Sequence, residues 1–412
     1  MGASLFQHER HWAALVILLF LFLLSGCGDR QEEAAVDFLK QHWVDPIPPQ
    51  GLPPATFTDL DASLSSESCG KCHAAQYDKW KSSLHSHAVG PGLLWQFKLL
   101  DQAKANRCMR CHAPLAEQKA LLAMEQGWQG VPSQPPPAYV NPGLGHEGVT
   151  CAACHVRGHT RFGPAPVAPT QGGTSHGGFV PSSAFEDSQF CAFCHQFPDD
   201  GPRVGGKLQE DTYRQWKASP FASGKTCQAC HMPDRKHLWR GIHDPEMTRQ
   251  AIEVDLQVAV ADNGNYVARA HVRNVGAGHD FPTYMVPKVD LIFYLHESGS
   301  KARELGRQVI GWTVDTQITR EIADTRIPAG KSSEFVQSFA PPPGKKWHVE
   351  LVVRVRPAEH YERVFQNSLN YADQLPLAAL PQLRQALQEV KASAYELMRV
   401  TATARKPSAS GL

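Results

Sequence analysis

Cys69-Gly70-Lys71-Cys72-His73 decides how this 412-residue chain is read, because the same pattern returns as Cys108-x-x-Cys111-His112, Cys151-x-x-Cys154-His155, Cys191-x-x-Cys194-His195 and Cys227-x-x-Cys230-His231. Two thiols one short loop apart can add to the two vinyl groups of one haem while the adjacent imidazole binds the iron, so Cys-x-x-Cys-His reads as covalent haem attachment. Chance supplies such a pentapeptide on the order of 0.01 times in a chain of this composition. Zinc ribbons pair two Cys-x-x-Cys knuckles and need no histidine after each, which sets zinc aside.

The motifs absorb ten of the eleven cysteines and leave only Cys27, so no disulfide framework is expected. A formal net charge of +1, with 42% hydrophobic and 20% charged residues, excludes a disordered chain and a nucleic-acid binder driven by bulk charge. Ten propionates and five ferric porphyrin cores would bring the oxidised holoprotein to about −4 and the reduced one to about −9.

Upstream, residues 13–24 form an apolar run too short to span a bilayer and of signal-peptide length. Leu24-Ser25-Gly26-Cys27 directly follows and resembles the lipobox of bacterial lipoproteins, in which the cysteine is acylated and anchors the mature chain to the bilayer surface. An ordinary signal peptide with a cysteine near its cleavage site is the alternative. In the lipoprotein analogy, Gly28 in place of Asp points to the outer membrane, and the exported face is periplasmic or cell-surface.

Taken together, these residues look like the multihaem cytochromes c of the cytochrome c-554 kind, relatives of the hydroxylamine oxidoreductase group. The resemblance covers roughly residues 66–290. Cys69-Gly-Lys-Cys-His followed by Tyr77, Trp80, Ser83 and His85 is similar to the family's opening segment, whose later histidine is a distal haem ligand. Gly148-Val-Thr-Cys-Ala-Ala-Cys-His155, residues 216–232 and Gly278-His279-x-Phe281-Pro282-Thr283 carry the rest. Five motifs, not the four of the small carrier or the eight of the oxidoreductase, mean that neither specific activity is transferred.

Five haem c groups would take His73, His112, His155, His195 and His231 as proximal ligands and leave thirteen histidines beyond the signal peptide for the distal positions. The expected distal set is His85, His146, His176, His243 and His279. His87 competes with His85, His159 with His146 and His237 with His243. His176 sits in a glycine-rich loop that permits close approach to a flat cofactor, with a flexible surface loop as its bland reading. His279 lies between two strand-like runs in a loop able to reach across a domain boundary, whereas His271 on the preceding strand reads as structural. Met109 and Met232 are pinned beside their own motifs, and Met247 or Met285 would be needed for methionine ligation.

The fold class expected is α+β: a mainly helical, loop-rich pentahaem domain packed on a C-terminal β-sandwich-like domain with a terminal helix. The boundaries are 1–26 for the lipoprotein signal peptide, 27–66 for a proline-rich tether, 67–250 for the pentahaem domain, 251–360 for the sandwich, and 361–412 for a helical segment and tail. Helical composition marks 74–87, 93–105 and 211–218, and later 381–399. Period-two alternation marks strands at 252–260 and 266–274 about an Asn263-Gly264 turn, then at 289–295 and 349–355, with weaker ones at 312–318 and 333–339.

These features imply a membrane-anchored electron-transfer protein serving a redox donor and acceptor, with no catalytic residue assigned and no nucleic-acid partner. The alternative is a haem oxidoreductase in which one iron stays open to a small nitrogen or sulfur substrate. A purely adhesive lipoprotein would leave the motifs without a role. With one large apolar cofactor per short segment, the porphyrins supply much of the core, so a variant lacking the ten motif cysteines is expected not to fold stably over 67–250. A cooperative, native-like melt of that region would contradict this.

Overall fold

The structure, a computed structural model, describes residues 33–129, 136–166, 175–343 and 346–404. The signal peptide, Cys27 and the 406–412 tail lie outside the described residues.

In the N-terminal half, four motifs close short helices: Gln102–His112, Cys151–His155, Gln189–His195 and Cys227–His231. The first straddles the end of Ser66–Gly70 and the start of Ala74–Lys81. One helical turn suits the motif because residues i, i+3 and i+4 share a face, which puts both sulfurs and the imidazole on one side. Local sequence starts these helices. Thr150 and Thr226 each accept a bond from the third helical N–H, and Asp101 does the same for Gln102–His112. That aspartate also explains a departure from the expected 93–105 helix. The chain stops at Phe97 and restarts beyond Asp101, giving Pro91–Phe97 and Gln102–His112.

The segment expected as a tether is packed. Helical residues 33–42 bury Ala35, Leu39 and His42, and Ile47 and Gln50 are buried after them. His42 donates from Nε2 to the Cys154 carbonyl (2.8 Å), and Gln50 donates its backbone N–H to Glu117 (2.7 Å). Prolines signalled an extended linker, yet the apolar side chains between them found partners.

Among the described residues, the C-terminal half holds two larger antiparallel sheets and a two-stranded one, Trp312–Val314 with Glu321–Asp324. Of the larger two, one orders Ser332–Phe339, Tyr266–Asn274 and Ile252–Val260; the other orders Tyr395–Ala402, Trp347–Arg356, Lys288–Glu297 and Arg303–Ile310. Inward residues of both, among them Leu256, Ala270, Val272, Phe335, Leu291, Phe293, Leu351 and Val353, form one continuous core. The haem-motif half has only smaller, separate clusters. The expected 381–399 helix ends early: Leu380–Ala392 is helical, and Tyr395–Ala402 is a strand that pairs with Trp347–Arg356. Tertiary pairing outweighed helix propensity there.

Gly278 and Asp280 dock the two halves. Gly278 leaves room for Trp216 and Phe221, and Asp280 donates its N–H to Gln215 Oε1 (3.1 Å) on helix Thr212–Lys217. Thr212 and Thr283 share a hydroxyl bond of 2.7 Å, and Lys207 bridges Glu321 (2.8 Å) and Asp324 (2.7 Å).

Gly148 makes the tightest backbone crossing beside the motifs. Its φ is +67°, and an added Cβ would lie 2.2 Å from the His85 carbonyl oxygen and 2.9 Å from Ala88 N. Val149 donates its N–H to that same His85 carbonyl (2.8 Å). Gly148→Ala should therefore cost more than the ~1–3 kcal/mol of left-handed strain alone. Gly264, at φ +78° with nothing near its Cβ position, isolates that strain. Denaturant melts in which Gly264→Ala costs as much as Gly148→Ala would refute the crossing as a constraint.

Candidate haem-binding site

Among the described residues, every motif cysteine is free and half-buried or exposed. Motif thiols also meet across the chain: Cys69 hydrogen-bonds with Cys151, Cys111 with Cys194, and Cys191 with Cys227. Backbone bonds support these neighbours. Cys151 donates its N–H to Ser66 Oγ (3.3 Å), Cys227 to Ser188 Oγ (2.9 Å), and Arg110 bonds the Phe193 carbonyl (3.0 Å).

The imidazoles give the second layer of geometry. Ring centroids of His231 and His279 lie 6.4 Å apart with planes 7° from parallel; His155 and His237 are 6.1 Å apart at 34°, and His85 and His195 6.3 Å apart at 53°. Two imidazoles sharing one metal through bonds of about 2.0 Å have centroids about 6.2 Å apart. In each pair one ring belongs to a Cys-x-x-Cys-His turn and the other comes from elsewhere in the chain. The donor set therefore fits a flat macrocycle held at its edge by two thiols and on both faces by imidazole. Among the described residues no three His, Cys, Asp or Glu side chains converge to hold a bare ion.

Hydrogen bonds orient the rings. Because a carbonyl only accepts, the partnered Nδ1 must carry the proton, and Nε2 keeps its lone pair for a metal. His155 donates from Nδ1 to Phe162 O (2.7 Å), His231 to Arg240 O (2.5 Å), His279 to Asp280 O (2.8 Å), His237 to Arg235 O (3.1 Å) and His112 to Ala88 O (2.7 Å). Burial holds these rings neutral. It pulls His155 down to about 4 against the pull of its carbonyl bond, His279 to about 4 likewise, and His85 to about 3 with help from neighbouring His195.

The sandwich loop that delivers His279 is templated by Asn274, which is 1% exposed. Its side-chain amide donates to the His279 and Ile327 carbonyls (2.8 and 3.0 Å), and its oxygen accepts from Ala277 N (3.0 Å).

Of the expected distal histidines, the structure brings His85 and His279 to proximal rings. His146 sits at the surface with Nε2 bonded to the Glu125 carboxylate at 2.5 Å. His243 is exposed ahead of helix Pro245–Ala251, and its rival His237 stands opposite His155 instead. A 3-10 turn at Pro233–Arg235 redirects the chain so that the nearer histidine arrives. His176 lies in the turn Ser175–Gly177, its backbone N–H on Asp61 (3.0 Å) and its Nδ1 on Gly178 O (3.0 Å). His159 gives Nε2 to the Gly51 carbonyl (3.0 Å) and is structural.

Sequence reasoning passed over His42, which is 2% exposed and held near pKa 3 by burial and then by Arg157. It knits the third motif to the fourth: beside it, Trp43 stacks on Phe193 (4.8 Å, 14°), and the Arg157 guanidinium lies 5.0 Å from the Trp43 ring. Lying ahead of the prolines and outside any motif, it gave no signal.

Residues 68–132 match the family described as cytochrome c554 and c-prime. No curated protein matches the chain. Among solved structures the chain is similar to a penta-haem cytochrome c552 from Thermochromatium tepidum. The TM-score is 0.56 at 19% identity, over 83% of this chain and 99% of that one. The likeness to that family is thus carried by residues 68–132, and the likeness to the penta-haem structure is one of fold.

Proposed function

We propose that this chain is an exported electron-transfer cytochrome carrying one haem c on each of its five motifs and exchanging electrons with a donor and an acceptor protein. The observation that carries the reading is the set of three imidazole pairs at 6.1–6.4 Å. Bound haem c supplies a one-electron iron(III)/iron(II) couple. The chain's own work is to attach, orient and enclose. Thiols would fix each ring edge, and the imidazoles of His195 with His85, His155 with His237, and His231 with His279 would close both faces. His237 thus takes the role first given to His243. His176, on a turn anchored to Asp61 just ahead of the first motif, is our second ligand opposite His73. The thiol contacts join the first motif to the third, and the second and fifth to the fourth. The Cys154 thiol acts electrostatically on both Cys191 and Cys194, supporting the link from third to fourth.

The reading includes a lipid on Cys27. Residues 28–32 alone then separate the anchor from the packed helix at 33–42, a reach of roughly 20 Å. The junction of the third and fourth motifs would sit close to the bilayer. No helix among the described residues is long and apolar enough to cross a membrane.

One observation favours the second reading, an oxidoreductase with an open iron. Beside the second motif, the Tyr361 phenol is pushed up by desolvation and by the neighbouring charges of Glu210 and Cys108. A protonated hydroxyl near Cys108 is suited to give a proton to a small nitrogen or sulfur substrate.

Absorption, EPR and cyanide titration of the holoprotein separate the two. Wholly low-spin spectra without cyanide binding sink the oxidoreductase; one high-spin, cyanide-binding iron whose spectrum changes in Tyr361→Phe sinks the pure carrier. In either case His237→Gly should convert one further low-spin signal to a high-spin, cyanide-accessible one. An unchanged spectrum would remove His237 from the ligand set.

A further inference from the structure

Between the fifth motif and the sandwich, residues 232–240 form a strap whose backbone is costly. Asp234, Arg235 and Trp239 all have positive φ (54°, 56° and 41°), and none is glycine. Left-handed backbone at such residues is costly and persists only where the surroundings enforce it. The strap is pinned along its length. Arg235 bonds Glu186 (2.6 Å) and the Ala165 carbonyl (2.7 Å), Leu238 donates its N–H to Lys236 O (2.8 Å), and the Arg240 carbonyl accepts from His231 Nδ1.

That conformation places one indole against two imidazoles. The Trp239 ring lies 4.7 Å from His85 at 74° and 5.1 Å from His237 at 88°. His85 is paired with His195 of the fourth motif, and His237 with His155 of the third. One aromatic side chain therefore sets an edge-to-face contact on the non-motif ring of each pair, a geometry favoured by the ring quadrupoles.

His85 needs such a contact more than its counterparts do. Its Nδ1 is buried without a hydrogen-bond partner, whereas His237 and His279 each hold a carbonyl through Nδ1. A ring without that bond is free to turn about its metal axis unless packing stops it. Among the described residues, Trp239 is the aromatic ring outside the motifs that meets it.

We propose that Trp239 is a positioning residue that sets the imidazole planes of His85 and His237 together, and so couples the electronic character of the third- and fourth-motif sites. This rests on reading those pairs as haem ligands.

The holoprotein tests it by EPR and a spectroscopic redox titration of Trp239→Ala and Trp239→Phe. In Trp239→Ala, two of the low-spin g-maxima and two of the midpoint potentials should shift while the His231/His279 site keeps its own. Trp239→Phe, which retains a ring, should restore most of both shifts. No shift in Trp239→Ala, or an equal shift of every site as from general loosening, would overturn the proposal. His85→Gly and His237→Gly are measured alongside. If neither creates a high-spin signal, the ligand reading itself fails; if both do and Trp239→Ala moves nothing, only the positioning role fails.

Discussion

With a haem iron between them, as proposed, two imidazoles about 6 Å apart would staple two parts of the chain, and three such pairs join the segments of the motif half. Short helices with little apolar surface do not choose partners well by hydrophobic burial alone. Here each motif fixes one ring locally, and a distant segment must bring the other. His85 arrives from the turn after the first motif to meet the fourth, His237 comes back from beyond the fifth to meet the third, and His279 comes from the sandwich to meet the fifth. Each pairing ties elements that the small hydrophobic clusters of this half would leave loosely related.

The sandwich answers a different constraint. Its core is continuous and lined by both sheets, so it is able to hold a loop rigidly while contributing one functional ring. Asn274, at the end of a strand, converts that rigidity into a defined position for His279, and Gln215 receives the loop on the other side through the Asp280 N–H and the Thr283 hydroxyl (2.9 Å). Sites built on such supports lose less orientation than sites on free loops.

What the sequence disclosed follows from how local each signal is. Cys-x-x-Cys-His is complete within one turn, so the motif residues were readable outright; period two and Asn263-Gly264 were enough for strands Ile252–Val260 and Tyr266–Asn274. The partners of the motif rings are set by segments meeting in space. His85 and His279, which meet motif rings, had local context to recommend them, whereas the bond of His146 to Glu125 joins separate segments and left no local mark. His237 and His243 follow the same motif closely, and the positive-φ residues Asp234 and Arg235, which carry no sequence mark of their own, steer the chain between them. The packed segment at 33–50 was hidden for the same reason: its partners Cys154 and Glu117 lie far downstream.

The C-terminal helix Glu359–Leu369 shows how charge can serve orientation. Lys288 is 1% exposed and Asp290 fully buried, on one strand. Lys288 donates to the Met285 carbonyl (2.6 Å) and lies 3.5 Å from Glu359, while Arg356 reaches Asp290 (3.0 Å) and Arg363 reaches Glu359 (2.9 Å). Burial drags the Lys288 ammonium down to about 8 in spite of Glu359, so the pair is costly to desolvate and a weak source of stability. Its geometry, however, is directional. Gly311 leaves the space through which Lys288 passes, since a Cβ there would lie 2.6 Å from Lys288 Cδ. The network clamps the start of the helix to the sandwich, and the helix then lays Phe365 edge-on against Trp95 (5.9 Å, 89°) in the haem-motif half. Tyr361 rides on the same helix, stacked on Phe365 (5.8 Å, 6°), on a strand-anchored base. A hydrophobic replacement of the buried charges would preserve volume but would no longer specify where along the sheet that helix begins.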